Sequence, residues 1–437
     1  MIKLIECPVC DNEDWKSLDY LRDRDYWIDK DYIFDEQIGF KICKTCGFVT
    51  YDYVEEEILK ERYRRARPVM QYANILTCNR KNEYHKKFLT LDLIKKLESV
   101  YDVGCAQGSF LKMMRDNGVK EVSGCEWSKA FRDYAIYEYG LNVTEDVEIE
   151  NRQDMICYYH VFEHVQYPSD ELQKVNERLK DDGYLYIAVP EYMNYLDEPS
   201  GMVCENFEKL YQLDHVNVFT KTSLKNILSR NGFKIIKEDD KIYGYTVLCQ
   251  KALIEACVKE DHDELEGILK KQKEAFEHLN KNEFSKAIEV FPAFPEAYVA
   301  ACIQPNMLKD FGKQKEMLEK GLSVCPGSAK IKMQLARLYF QWDDSNPQKT
   351  YYSNNIRKAE EILNAITEEK PGIEDSYYLL ALIEAKYKKN YQKAREYLGR
   401  VLEINPTKFT ECNQLIGWIW KERGQNEGKV NESETRL

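Results

Sequence analysis

A chain of 437 residues is long enough for two or three domains with cores of their own. Its 63 basic and 75 acidic side chains leave a formal charge of -12, which argues against a general nucleic-acid binder while leaving room for a local basic groove. No run of about 18 uncharged apolar residues occurs, and the opening MIKLIECPVC lacks an apolar stretch with a cleavage site, so the sequence reads as a soluble cytoplasmic protein without a membrane span.

Fourteen cysteines are too few for a disulfide scaffold at this length. Four are set apart by spacing: Cys7 and Cys10 in CPVC, and Cys43 and Cys46 in CKTCG. Two such pairs, the second followed by Gly47, suit four thiolates closing tetrahedrally on a structural zinc, the glycine relieving the backbone where it turns under the metal. A closed four-sulfur site keeps no position open for catalysis, so residues 1–55 are expected to be a small zinc ribbon-like module that organises the N-terminus.

Residues 56–98 follow as a helical connector. YDYVEEEILKERYRRARPVMQY gives a helix that breaks at Pro68, and a second helix covers roughly 80–98. Arg62, Arg64, Arg65 and Arg67 read as a solvated helix face, and the 62–84 segment is a candidate lid.

Residues 99–252 alternate short apolar strands (VYDVG, EVSGCE, MICYY, YLYIAVP) with amphipathic helices ending near 117, 138 and 180. That alternation indicates α/β units around a parallel sheet. LKNILSRNGFKIIKED and GYTVLCQK then supply a helix and two strands, which suit a hairpin at the sheet edge.

From 253 to 424 the pattern is helix after helix. Pro295, Pro326, Pro371 and Pro406 recur at intervals of 31, 45 and 35 residues, against a tetratricopeptide period of about 34. Looping out residues 342–352 restores the period, and Ala359 and Ala394 each lie twelve residues before a proline, where two helices of a repeat approach. An all-α tetratricopeptide-like repeat domain is expected, offering a surface for a protein partner or for self-association. Residues 425–437 form a polar tail.

The first strand of the α/β region runs into Asp102-Val-Gly104-Cys105-Ala106-Gln-Gly108, and the second ends at Glu126. Glycines at such a turn let the backbone pass under a bulky ligand, and a carboxylate after the next strand can accept both hydroxyls of a ribose. The G-x-G-x-x-G of a dinucleotide site is missing. The combination resembles class I S-adenosylmethionine-dependent methyltransferases of the small-molecule and sugar type, whose fold is Rossmann-like. The resemblance implies that Asp102, Gly104, Cys105, Ala106 and Gly108 surround the methionine end of S-adenosylmethionine, that Glu126 beside Trp127 holds its ribose, that Asp154 enters the segment near the adenine, and that Tyr159 also binds the cofactor. Ala106 stands where the family more often has glycine. DDGYLYIAVP resembles the family's fifth strand, and DHVNVFTKTSLKNILSRNGFKII its closing helix and strand. Sugar C-methyltransferases carry a similar cysteine module before the core, but their C-terminal nucleotide-sugar domain is replaced here by repeats.

DMICYYHVFEHVQYP contains His160, Glu163 and His164, a literal H-x-x-E-H zinc-peptidase motif. A peptidase would need both histidines one turn apart on a stable helix, whereas this segment follows the fourth strand, where open α/β sheets place their ligands. Three roles stay open: His164 as a general base; a divalent cation in the acceptor pocket held by His160, Glu163, His164 and the distant His215; or a frame for the pocket wall. Tyr158, Tyr159, Tyr192, Tyr195 and Tyr211 are candidates for the acceptor wall. The expected reaction is transfer of a methyl group to a hydroxyl of a sugar or another small metabolite, free or carrier-linked. Carbon or nitrogen transfer stands as the alternative, and an assembly factor with protein-directed or vestigial activity is the rival class.

Overall fold

The computed structural model describes residues 4–18, 40–51, 56–65, 71–190, 215–239, 244–253, 258, 262–344 and 352–434. Arg67, Pro68, Tyr192, Tyr195, Tyr211 and most of the 342–352 insertion lie outside these residues, as do the side chains of Arg62 and Arg65. The chain divides into two units, Met1–Pro68 with Phe88–Ala300, and Val69–Lys87 with Ala301–Leu437. No helix of the described residues is long and apolar enough to cross a membrane.

The first unit holds a seven-stranded sheet in the order β10-β11-β8-β7-β4-β5-β6. Its strands are β4 (Ser99–Val103), β5 (Glu121–Cys125), β6 (Asn142–Thr144), β7 (Gln153–Tyr159), β8 (Leu179–Val189), β10 (Phe233–Asp239) and β11 (Tyr245–Lys251). The pairs β4 with β5, β5 with β6, β4 with β7 and β7 with β8 are parallel. β11 joins β8 antiparallel, and β10 closes the edge as a hairpin with it. Both faces of β7 and β8 are covered, which is why MICYY and YLYIAV read as unbroken apolar runs. The chain runs outward from β4 through β5 and β6, then returns to β7 on β4's other side. The strand order therefore reverses beside β4, and the crevice above its carboxyl end is where such sheets take ligands.

Local chemistry sets the helix ends around that crevice. Helix α4 (Ser109–Asp116) buries Phe110, Leu111, Met113 and Met114 against the sheet. Ser128 caps α5 (Lys129–Tyr139), which stops at Gly140 in the left-handed region. Pro168 opens α6 (Pro168–Arg178), with Asp170 and Glu171 in its positive first turn.

A second sheet, in the order β1-β2-β3-β9, is built from β1 (Trp15–Ser17), β2 (Phe40–Cys43), β3 (Val49–Tyr51) and β9 (Asn217–Val218). Its last strand comes from the far side of the chain: β3 pairs antiparallel with β9, Val49 opposite Val218 and Thr50 opposite Asn217. Helices His262–Asn280 and Phe284–Val290, which the sequence assigns to the repeat region, belong to this first unit. Lys16 reaches Glu266 at 2.6 Å and Asp263 at 3.2 Å.

The second unit contains the hairpins Ala329–Asp344 with Asn354–Glu369 and Glu374–Ile383 with Tyr391–Ile404, followed by Phe409–Glu434. Pro371 and Pro406 fall between hairpins, and Ala359 and Ala394 are fully buried. The polar turn is made by Lys389, at φ +55°, and by Asn390, whose side chain caps the next helix. Helix α2 (Gln71–Leu89) is the unexpected member. Its Arg80 forks onto Glu374, Nε to Oε2 at 2.9 Å and Nη2 to Oε1 at 2.5 Å, while Asn79 donates to the Ile404 carbonyl and Glu83 pairs with Arg400. A side chain on Gly372 would meet the Arg80 carbonyl oxygen at 2.6 Å, so only glycine permits this approach. The sequence assigns α2 to a connector and candidate lid; its Asn79, Arg80 and Glu83 meet the helical hairpins, while Phe88 at its end belongs to the first unit and stacks on Tyr186.

Candidate active site

A cavity of about 550 Å³ opens above the carboxyl ends of β4, β5 and β7. β4 leaves the sheet through Gly104, Ala106 and Gly108, all at positive φ (+67°, +47° and +77°). A Cβ on Gly104 would lie 2.6 Å from Val161, so the turn and the loop after β7 touch backbone to side chain. Ala106 holds a conformation that costs a non-glycine residue about 1–2 kcal/mol. Its N–H is fixed there by Glu126, whose Oε2 accepts it at 2.9 Å while Oε1 accepts the Ser128 N–H at 2.7 Å. Each carboxylate oxygen retains lone-pair capacity toward a ligand hydroxyl.

Asp102 and Glu126 are both buried. Burial pushes the Asp102 carboxyl well above the usual range, and the Glu126 charge adds to this. Burial also raises Glu126, against the pull of the Ser128 and Ala106 N–H groups. A cationic or hydroxyl-donating ligand favours the ionised carboxylates, so binding releases protons when the pH lies near these raised values. Affinity for such a ligand should therefore fall as pH drops through a window above the ordinary carboxylate range, and be flat above it. Calorimetric titration in buffers of differing ionisation enthalpy would read the released protons directly.

The opposite wall is the segment after β7. His160, at φ +57°, turns the chain out of the sheet, its N–H still bonded to the Ala188 carbonyl at 2.9 Å. Phe162–His164 then make one turn of 3-10 helix. Glu163 is 1% exposed, and among the described residues neither of its oxygens has a hydrogen-bond donor within bonding distance. His160 Nδ1 lies 3.6 Å and His164 Nε2 3.8 Å from its Oε1, and the rings of His164 and His215 are 4.9 Å apart. Burial works against the Glu163 charge, yet the three imidazoles outweigh it and hold the carboxyl below its ordinary range. Glu163, His164 and His215 each offer a ligand atom within 4.8 Å of the others.

Helix α1 (Glu56–Arg65) covers the rim. The Tyr63 hydroxyl lies 3.1 Å from His164 Nδ1 and its ring 5.9 Å from that of Trp127. Lys60 pairs with Asp146 at 3.1 Å, and Arg64, expected on a solvated face, donates to Glu145 at 2.8 Å.

Residues 76–238 match the family model of a methyltransferase domain, and residues 374–408 that of a tetratricopeptide repeat. The chain carries a methyltransferase domain. It is 31% identical over 103 residues to a mitochondrial ubiquinone biosynthesis O-methyltransferase from Candida albicans, covering 21% of this chain and 32% of that protein. The chain thus spans about a third of the curated relative it matches. Among solved structures it resembles an S-adenosylmethionine-dependent methyltransferase from Archaeoglobus fulgidus (18% identity, TM-score 0.31, 45% of this chain and all of that one). It also resembles the magnesium protoporphyrin IX methyltransferase of Synechocystis, solved with bound S-adenosylhomocysteine (15% identity, TM-score 0.31, 45% and 93%).

The methyltransferase domain is joined to a four-cysteine cluster. Cys7 and Cys46 Sγ are 3.6 Å apart, and Cys10 and Cys43 Sγ 3.5 Å. Tetrahedral zinc, with Zn–S near 2.3 Å, sets sulfurs about 3.8 Å apart, so this donor set fits a structural zinc. Gly47 turns beneath it at φ +69°. The cluster shares a core with the domain: Phe48 packs on Phe219 (5.4 Å), and Phe219 stacks on Phe162 (5.5 Å, 16°), the residue before Glu163. Thr50 donates its hydroxyl to the Val216 carbonyl at 2.8 Å, and Asn217 donates to the Val165 carbonyl at 2.6 Å.

Of the residues expected around the methyltransferase ligand, Gly104, Ala106, Glu126, Trp127, His160 and His164 line the cavity, as does Tyr158. Asp102, Cys105, Gly108, Tyr159, Glu163 and His215 do not line it. Asp154 is a correction. It enters β7 at the amino end of the sheet, where it accepts from the Ser99 and Glu98 N–H groups and pairs with Lys180 at 2.9 Å, so it ties strand starts together, away from the ligand. The loop after β6 supplies Asp146 and Val147 to the cavity instead, and Tyr63, Ser128 and Gln166 join them. The usable signal was the acid-plus-valine pair in TEDV immediately after the short strand NVT.

Proposed function

We propose that this protein transfers a methyl group from S-adenosylmethionine to a hydroxyl oxygen of a small acceptor, a sugar or another hydroxylated metabolite, free or carrier-linked. The observation that carries the reading is the two-sided cavity, with the Glu126 carboxylate clamping the Gly104–Gly108 turn on one wall and the Glu163, His164 and His215 cluster built on the other. The family match and a relative named for O-methylation support it. The sulfonium brings an already activated methyl, so the protein's part is to orient, to exclude water and to handle one proton. Glu126 would hold the ribose hydroxyls, and α1 with Tyr63 would close the rim. An acceptor hydroxyl entering beside Tyr63 would yield its proton to His164 Nδ1 as the methyl carbon passes from sulfur to oxygen.

A divalent cation is the second reading, favoured by a specific observation: a buried carboxylate whose two oxygens take no hydrogen bond among the described residues, with two imidazoles in ligand range. Glu163, His164 and His215 would hold it, and it would lower the acceptor hydroxyl's pKa. We assign the repeats to recruitment of a protein partner or to self-association.

Calorimetric binding of S-adenosylmethionine and S-adenosylhomocysteine, then a methyl-transfer screen over sugars, phenols, amines and peptides, tests the proposal. Absence of binding at millimolar cofactor defeats it, and a product methylated at carbon, nitrogen or protein redirects it. Manganese titrated into zinc-loaded protein should bind the wild type and not Glu163→Gln; equal uptake by both sinks the cation reading.

A further inference from the structure

The interval of 35 residues between Pro371 and Pro406 makes the helix from Glu374 and the helix Phe409–Glu434 equivalent members of successive repeats. The earlier one is covered by the helix that returns along it. Its Ala381 and Ala385 are fully buried, in one cluster with Ala394 and Leu398 of the returning helix Tyr391–Ile404. Their equivalents one interval on are Ile416, half-buried, and Trp420, 65% exposed. Phe409 is 59% exposed and lies on the same face, since 409, 413, 416 and 420 follow one another at helical spacing. Cys412, Leu415 and Ile419 do bury in that cluster, so the helix is docked on one side and open on the other. Among the described residues no helix lies along the open side as a returning partner.

The last helix of a repeat array ordinarily turns a polar face outward, because an exposed apolar stripe invites association. This one is apolar and uncharged. From Phe409 to Trp420 the one charged side chain is Glu411, which pairs with Lys408 at 2.9 Å, in a chain whose residues are 32% charged. Two copies that each carry a formal charge of -12 can meet here without setting like charges against each other. Gly417 beside the stripe has nothing within 4 Å of where its Cβ would stand. The chain's own packing does not call for a glycine that weakens the helix, whereas a second backbone approaching closely does.

We infer that the helix Phe409–Glu434 is the interface of a homodimer, the same helix of a second copy lying antiparallel along it in the place that a returning helix takes in the preceding hairpin. A two-fold axis between Gln414 and Leu415 sets Phe409 against the partner's Trp420 and Asn413 against the partner's Ile416, and symmetry makes each contact twice. The inference rests on the assignment of the repeats to association and narrows it to a second copy of this chain. It does not depend on the methyl-transfer reading.

Sedimentation of the full chain tests it. At about 100 µM the wild type should sediment chiefly at twice its 51.6 kDa and return to monomer on dilution, because a two-helix contact is at the small end of specific interfaces. Trp420→Glu and, separately, Phe409→Glu bring a carboxylate into the apolar contact. Each should weaken the dimer at least about tenfold, with the far-ultraviolet helix signal unchanged. A benzophenone side chain at position 409 should cross-link to residues 416–421 of a second, isotopically labelled chain. Wild type that stays monomeric at about 100 µM overturns the inference and gives the face to a different protein. A dimer that either variant keeps, a cross-link outside the helix Phe409–Glu434, or loss of helix signal in both variants overturns it as well. Failure to bind S-adenosylhomocysteine strikes the methyl-transfer reading alone and leaves this one standing.

Discussion

Replacing Cys46 by serine is expected to release one equivalent of zinc and to loosen the wall that carries His215. Structural zinc contributes about 10–16 kcal/mol of apparent binding free energy, and removing a thiolate should forfeit at least about 3 kcal/mol of it. For a unit of this size that is a fall in unfolding temperature of roughly 10 °C. The effect travels because β9 is the fourth strand of the cysteine module's sheet. With β2 and β3 unsettled, the Thr50 bond to Val216 and the Phe48–Phe219–Phe162 stack lose their support, and these flank His215 and Glu163. Elemental analysis gives the zinc count, and hydrogen exchange at 215–219 gives the wall. Zinc retained in the variant, or zinc lost with unchanged protection of those amides, would refute this coupling.

Glu126→Ala should weaken S-adenosylhomocysteine by at least about a hundredfold. Two hydrogen bonds from ribose hydroxyls to a charged acceptor contribute about 1.5–3 kcal/mol each. The same substitution frees the Ala106 and Ser128 N–H groups, so Ala106 loses the partner that holds it at positive φ. Glu126→Gln is the sharper probe, since an amide nitrogen would face one of those two N–H groups. It should bind the ligand more weakly than wild type at near-normal fold. Alanine-variant affinity within tenfold of wild type would remove Glu126 from the ribose site.

Much of this site is legible in the sequence because its signals are local. The glycine turn, the acid closing the next strand and the apolar run into His160 each sit within a few residues, and strand ends put them at one rim. Asp154 misled because an acid before an apolar strand looks alike at either end of a sheet; only its bonds to Ser99 and Lys180 tell which end it occupies. Asp146 and Val147 were missed because β6 is three residues long, too short for an alternating pattern. The cysteine spacing foretells a metal-sized cluster, but not that Asn217 and Val218 complete its sheet, because a two-residue strand carries no periodicity.

The docking of α2 on the helical hairpins has a consequence for how the protein is made. Arg80 and Glu374 are separated by 294 residues. At about 5–20 residues per second, a ribosome needs roughly 15–60 s to deliver the second after the first. During that interval α2 has left the exit tunnel without the surface it will cover, and Arg80 has no carboxylate to fork onto. A nascent chain stalled near residue 300 should accordingly present α2 to chaperones and proteases, and the same chain extended past Asn405 should protect it.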